Sequence, residues 1–500
     1  MLIAVLFGAF SAAIPAGQIF LLTILTLAVA ICLMYYFPQF VVQLLVIFLP
    51  FEEILLKYLP VSDRVYIASR FLSESVIYAC FIFLVIRKII NKKRFRTTPV
   101  DIYLIGFLVV AGLTILINQP PLLGSLVNLR ALLRYAILFY LVVNLDFSEK
   151  QIRRILILIV LAGAIEVTVG WMQLIFGDSI NPILLPKTTE IEIAGYTRGF
   201  VLLRRGRELG AIFGTLGDTI FFALFMLVVL SVVLGQVKTV RLRHLIFIVL
   251  LFLSINFAYA RAAIFGVFLM IAITYRVRAG RNRLVSMLIF LLLIVLLGTV
   301  LFYDSSFIQR EFINPLTEQQ NILQNVTGIF TVDYFQRAQS QRLGALTGIP
   351  PIVLATSPVL GFGPDEDHTI GKLNEKLPLF DLPLFKQKVF RKNGFEDVYW
   401  AALLAYYGLL GLGIFILFMI KFYKSIFEIF KKTGNPMIKN LAVTSLTIIG
   451  ISFYLLFFYR VLEFRAFSFY FWLLPGLLFS IYSQEKSRGN FHHDLQGINL

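Results

Sequence analysis

The sequence predicts an all-α, polytopic membrane protein, and three observations carry that expectation. Hydrophobic residues make up 59% of the 500 and charged residues only 15%, against about 25% charged in a typical soluble domain. Mean hydropathy is +0.85, and apolar runs of roughly 18 residues or more recur from end to end. Each run is long enough, as a helix, to cross ~30 Å of hydrocarbon. Lipid offers the backbone no hydrogen-bond partner, which makes helices the default element. Third, the basic residues cluster in short gaps between apolar runs, the positive-inside pattern. The net charge of +17 therefore does not predict a nucleic-acid partner, which would need a continuous basic stripe; the expected partner is the lipid bilayer.

The N-terminal stretch Leu2 to Pro50 reads as three short spans, or as one span with interfacial pieces around Pro15, Pro38 and Pro50. It lacks the basic n-region and small-residue cleavage site of a removed signal, so it reads as retained. Five strongly basic gaps follow: Arg87–Arg96, Lys150–Arg154, Lys238–Arg243, Arg276–Arg283 and Lys421–Lys439, with Lys486 and Arg488 in the tail. Placing all of them in the cytoplasm requires two crossings between neighbours. The apolar runs supply these at about 100–118 with 122–144, 155–176 with 211–235, 245–259 with 262–276, 284–303 with 398–420, and 440–458 with 466–482. The total is about 12 to 14 helices with both termini cytoplasmic.

This arrangement divides the chain into N-terminal transmembrane helices (1–303), one large outward-facing loop (304–397), C-terminal transmembrane helices (398–482) and a cytoplasmic tail (483–500). Within the loop, Phe307–Gln324 and Val332–Ala345 read as helices lying across the outer mouth. Cys32 and Cys80 both lie in apolar runs, and only His244, His368, His492 and His493 occur. No disulfide framework, metal centre or cofactor is expected from that inventory.

Ionisable residues inside a span cost roughly 2.5–3.5 kcal/mol on insertion scales, so each one needs a reason. Arg130 and Arg134 are four apart and share a helix face. They snorkel to the outer interface, pair with a buried carboxylate, or hold an anion. Arg198, Arg204, Arg205 and Arg207 form a basic cluster on the outward side. A helix is expected to begin just after Arg207, where its N-terminal amides and dipole favour an anion. Arg261 falls at an outward turn among small residues, as an interface anchor or a phosphate ligand. Arginine suits a phosphate because its planar fork makes two parallel bonds and keeps its charge.

Carboxylates lie on the same predicted side. Glu396 and Asp397 open the helix that starts at Val398, either as ordinary first-turn acids or with Glu396 as a general base for a hydroxyl. Asp365, Glu366, Asp367 and His368 follow a Gly-Phe-Gly-Pro turn. They read as a solvated turn rather than a hard-cation site, with His368 the second candidate base and Asp367, like Asp397, a candidate contact for an acceptor.

In this order the motifs resemble the O-antigen ligase/polymerase family of membrane glycan transferases. The resemblance runs through Arg207-Glu-Leu-Gly-Ala-Ile-Phe-Gly-Thr, Ala258-Tyr-Ala-Arg261-Ala-Ala-Ile-Phe-Gly, Ser357-Pro-Val-Leu-Gly-Phe-Gly-Pro364 and Glu396-Asp397-Val-Tyr-Trp. It closes at Tyr407-Gly-Leu-Leu-Gly411 and covers roughly Arg198 to Phe418. It implies a glycosyltransferase type C-like fold in a bacterial inner membrane, with the site facing the periplasm. The implied donor is an undecaprenyl-diphosphate-linked glycan, transferred with inversion and without a metal. Arg207 and Arg261, with Arg198, Arg134 and Arg130 nearby, would hold the diphosphate.

Family ligases carry His-Asn before the helix that ends in Tyr-Gly-x-x-Gly, where this chain has Glu396-Asp397. That departure favours a polymerase of repeat units over a ligase acting on a lipid A-core or protein acceptor. A chain-length regulator or flippase would be a natural partner of either. A lipid-linked glycan transporter is a third reading. It is disfavoured because the arginines gather at one mouth rather than near the midplane of two repeated halves.

Overall fold

The computed structural model describes residues 30–58, 70–184, 212–237, 242–258, 260–278, 342–380, 390 and 398–496. Among them every regular element is a helix: α1 (Pro38–Lys57), α2 (Leu72–Ile90), α3 (Asp101–Asn118), α4 (Leu122–Leu133), α5 (Ala136–Asn144), α6 (Glu149–Leu184), α7 (Thr219–Gln236), α8 (Leu242–Phe257), α9 (Arg261–Arg278), α10 (Arg342–Thr356), α11 (Glu366–Lys376), α12 (Tyr399–Lys432), α13 (Pro436–Leu455) and α14 (Arg465–Gln496). Seven of these described helices are long and apolar enough to cross a membrane: α1, α3, α6, α7, α12, α13 and α14. The pair α4 and α5, bent by 45°, would make an eighth. The protein is an all-α polytopic membrane protein. The larger expected total also drew on 1–29 and 284–303, which lie outside the described residues.

Helix α7 is apolar on every face and buried along nearly its whole length, the signature of a central helix. It packs on α6, α8, α9, α13 and α14. Helix α3 instead turns Ile102, Ile105, Leu116 and Ile117 outward, as a lipid-facing helix must. An aromatic cluster of Phe139, Phe418, Phe422, Trp472 and Phe479 joins α5, α12 and α14, with Phe422 stacked on Phe479 at 6.3 Å between centroids.

The basic gaps do meet at one end of the bundle. Lys88 donates to the Asn144 side chain (2.6 Å) and Arg96 pairs with Asp146. Asn435 donates to Glu149 (2.8 Å), Thr433 to Glu485 (2.9 Å) and Gln484 to the Phe147 carbonyl (3.3 Å). Arg278 donates to the carbonyl of Val237 (2.6 Å) and to Asn440 (3.2 Å).

Four expected boundaries differ from the observed ones. Helix α1 runs straight through Pro50, which the sequence had suggested as an interfacial break. Proline frees the carbonyl four residues earlier, and here the Tyr470 hydroxyl donates to the Val46 carbonyl at 2.7 Å. The run 122–144 is broken at Arg134–Tyr135, and Tyr78 donates to the freed Arg134 carbonyl (3.4 Å). Residues 212–218 form a turn rather than the start of a helix. Helix α7 begins only at Thr219, capped by Asp218, whose side chain accepts from the N–H of Ile220 (2.7 Å). Of the two expected loop helices, Phe307–Gln324 lies outside the described residues. Of the other, Val332–Ala345, only 342–345 lie among the described residues, and they belong to α10, which continues to Thr356.

Candidate functional site

The site is built at the end of the bundle opposite the basic gaps. Its frame is a junction between the loop segment Pro358–Gly363 and a break in α12. At Gly408 (φ 63°) the helix opens. The N–H groups of Phe362 and Gly363 donate to the carbonyls of Ala405 and Tyr406 (2.7 and 3.0 Å). In return the N–H groups of Leu409 and Leu410 donate to Pro358 and Val359 (2.8 and 3.2 Å). Backbone opened in a bundle must find partners inside the protein, and this exchange supplies them. Gly361 and Gly408 make it possible: a Cβ on Gly361 would lie 2.7 Å from the Gly408 nitrogen, and one on Gly408 2.6 Å from the Gly361 nitrogen.

The Asp-Glu-Asp-His turn is therefore not a solvated loop. Asp365 caps α11, accepting from the His368 N–H (2.8 Å). Asn128 of α4 donates to the Pro364 carbonyl (2.8 Å). Glu366 is buried and pairs with buried Arg460 at 3.3 Å. Arg460 also lies 3.7 Å from Glu463 and donates to the Tyr406 hydroxyl (3.4 Å). Asp367 is exposed and His368 half-buried.

A second charged cluster adjoins it. Arg465 pairs with Glu52 (3.3 Å) and approaches Glu53 (3.9 Å), which Arg70 holds at 2.9 Å. Arg130 and Arg134 lie 2.6 and 3.2 Å from the two oxygens of Glu74, a carboxylate of α2 that is 2% exposed. The expected diphosphate ligands Arg130 and Arg134 are thus ion-paired within the protein, and Arg134 sits at the helix break rather than inside a span. Phe464, between Arg460 and Arg465, packs its ring on Phe221 of α7 at 4.7 Å. That contact joins both clusters to the segment that follows the Arg207 motif.

That segment is held tightly. The Ile212 N–H donates to the Phe257 carbonyl (3.1 Å), four residues before Arg261, which opens α9. Tyr399, three residues after Glu396, donates its N–H to the Leu456 carbonyl (3.0 Å). Arg198, Arg207, Glu396 and Asp397 themselves lie outside the described residues. Their flanking chain nonetheless enters this same end.

Sequence reasoning missed the carboxylates Glu52, Glu53, Glu74 and Glu166 and the arginines Arg70, Arg460 and Arg465 as site residues, and it read Glu366 as solvated where it is buried and ion-paired. The signal was present: Glu52, Glu74 and Glu166 interrupt apolar runs, and an acid in a span is as costly as a base. Among the described residues no group of three His, Cys, Asp or Glu side chains could hold a metal ion. No protein-family model matches the chain, and no curated protein sequence does.

Proposed function

We propose that the protein is a glycosyltransferase with a type C-like fold, resembling the O-antigen ligase/polymerase family. It joins undecaprenyl-diphosphate-linked oligosaccharides into a polysaccharide at the periplasmic face of a bacterial inner membrane. The observation that carries the reading is the Ile212–Phe257 backbone bond. It ties the chain five residues after Arg207 to the chain four residues before Arg261. Two arginine motifs far apart in sequence therefore enter one end of the bundle, away from the basic gaps that the positive-inside rule assigns to the cytoplasm.

Arg207 and Arg261 bind the donor diphosphate and stabilise it as it leaves. Glu396, whose flank Tyr399 is pinned at the same end, takes the proton of the acceptor hydroxyl. The acceptor oxygen bonds to the anomeric carbon, the bond from that carbon to the phosphate oxygen breaks, and undecaprenyl diphosphate departs with its negative charge held by the arginines.

The test is to supply purified protein with lipid-linked repeat units. A ladder of products on the carrier lipid is expected. Transfer only to a lipid A-core or protein acceptor makes the protein a ligase, and no transfer at all removes the reading. Arg207→Ala and Arg261→Ala should each abolish product while the protein still inserts, and normal activity in both removes the diphosphate site.

A further inference from the structure

Among the described residues, Glu166 is the one buried carboxylate that the charged clusters at the site do not use. It lies in the membrane-spanning part of α6, is 0% exposed, and has no ion-pair partner among the described residues. An acid in such a place needs compensating hydrogen bonds, and both of its bonds go to one residue. The Thr215 backbone N–H donates to one oxygen (2.9 Å) and the Thr215 hydroxyl to the other.

Two turns further along the same helix, buried Gln173 repeats the pattern. Its side-chain oxygen accepts from the N–H groups of Phe213 (3.0 Å) and Gly214 (2.8 Å), and its amide nitrogen donates to Asn181 (3.1 Å). The spacing of seven residues puts Glu166 and Gln173 on one face. Gly170 lies between them, where an added Cβ would sit 3.1 Å from Ile212. The turn itself is shaped to fit: Gly214 adopts φ 58°, and a Cβ there would run into the Glu166 carboxylate.

We infer that Glu166 and Gln173 are positioning residues that clamp the turn Ile212–Gly217 by its backbone and so fix the point at which the chain carrying Arg207, five residues upstream, joins the bundle. The donor-site part of this inference rests on the function proposed above; the clamp rests on the hydrogen bonds alone. A clamp needs acceptors for donated N–H groups, not a charge or a mobile proton. Glutamine at 166 keeps an oxygen for the Thr215 N–H and can donate to the Thr215 hydroxyl. Leucine keeps neither bond.

The experiment uses the full-length protein in lipid nanodiscs and two readouts. The first is amide hydrogen exchange over residues 212–217; the second is the KM and kcat for lipid-linked repeat units. Glu166→Leu and Gln173→Leu should speed exchange about tenfold and raise KM by a similar factor, with kcat changed less than about threefold. Glu166→Gln should restore both readouts. Thr215→Val, which deletes only the hydroxyl, should move both in the same direction by less, and it serves if Glu166→Leu fails to insert.

Unchanged exchange in the leucine variants overturns the clamp. Faster exchange with an unchanged KM overturns the link to Arg207. A Glu166→Gln protein with slow exchange but no turnover also overturns it, because the carboxylate would then be needed for its charge. A wild-type protein that transfers no glycan, while Glu166→Leu still speeds exchange, overturns the functional reading and establishes the clamp as purely structural.

Discussion

Glu74 accepts from Arg130 and lies 3.2 Å from the Nε of Arg134, so its replacement by alanine strands two guanidinium groups at once. Arg134 is only 11% exposed, and breaking a buried pair from one side costs about 3–5 kcal/mol. Glu74→Ala should lower the melting temperature in detergent by a correspondingly large step. The double variant Glu74→Leu with Arg134→Met should recover most of the loss, since a well-packed apolar pair replaces a buried ionic one at little cost. A double variant no better than the single one would mean that the pair contributes more than mutual compensation. Gly361 and Gly408 make a second prediction at this scale. Each has a positive φ and faces the other's backbone, so alanine at either should destabilise by roughly 2 kcal/mol or more. An unaltered melt for Gly408→Ala would mean that the junction does not form. These two glycines stand out in the sequence, but their mutual contact does not, because 46 residues separate them. The arginines were visible as misplaced charges, and a buried carboxylate was one reading of Arg130 and Arg134, but its identity as Glu74 was not legible because it lies 56 and 60 residues away along the chain.

Elements end where their own backbone bonds run out, unless another element supplies the missing partner. Helix α1 illustrates this. Pro50 reads as a boundary from sequence, yet α1 continues because Tyr470 of α14 donates to the Val46 carbonyl. Tyr470→Phe should therefore cost about 1–3 kcal/mol by leaving a buried carbonyl unsatisfied. In a Pro50→Ala background, the alanine N–H takes over that carbonyl, and the penalty for Tyr470→Phe should shrink. A double-mutant cycle in detergent melts reads the difference directly, and strictly additive effects would remove this account of the helix. The same logic explains which boundaries were legible. The span α3 runs from Asp101 to Asn118, polar residues that bound its apolar run, and its limits could be read in advance. The breaks at Arg134 and Gly408 and the late start of α7 depend on Glu74, Pro358–Gly363 and Glu166. Those partners lie 43 to 60 residues away along the chain, beyond the reach of any local pattern.

At the scale of the whole molecule, the alternation of apolar runs and basic gaps carried over into the structure. The gaps do gather at one end, through Lys88–Asn144, Asn435–Glu149 and Thr433–Glu485. The Gly361–Gly408 junction and the Glu366–Arg460 pair occupy the other. Which end meets the cytoplasm follows from the cost of translocating clustered lysines and arginines, and that argument has a direct test. In a background lacking Cys32 and Cys80, single cysteines are placed at exposed Lys93 and Gly434 on the basic end and at exposed Glu375 on the other. A membrane-impermeant maleimide added to intact spheroplasts should label Glu375→Cys at once. It should reach Lys93→Cys and Gly434→Cys only after the membrane is permeabilised. The reverse pattern would put the charged clusters in the cytoplasm, where a donor lipid already carried across the bilayer could not reach them. The fold would then stand, and the periplasmic transferase reading would fall with its topology.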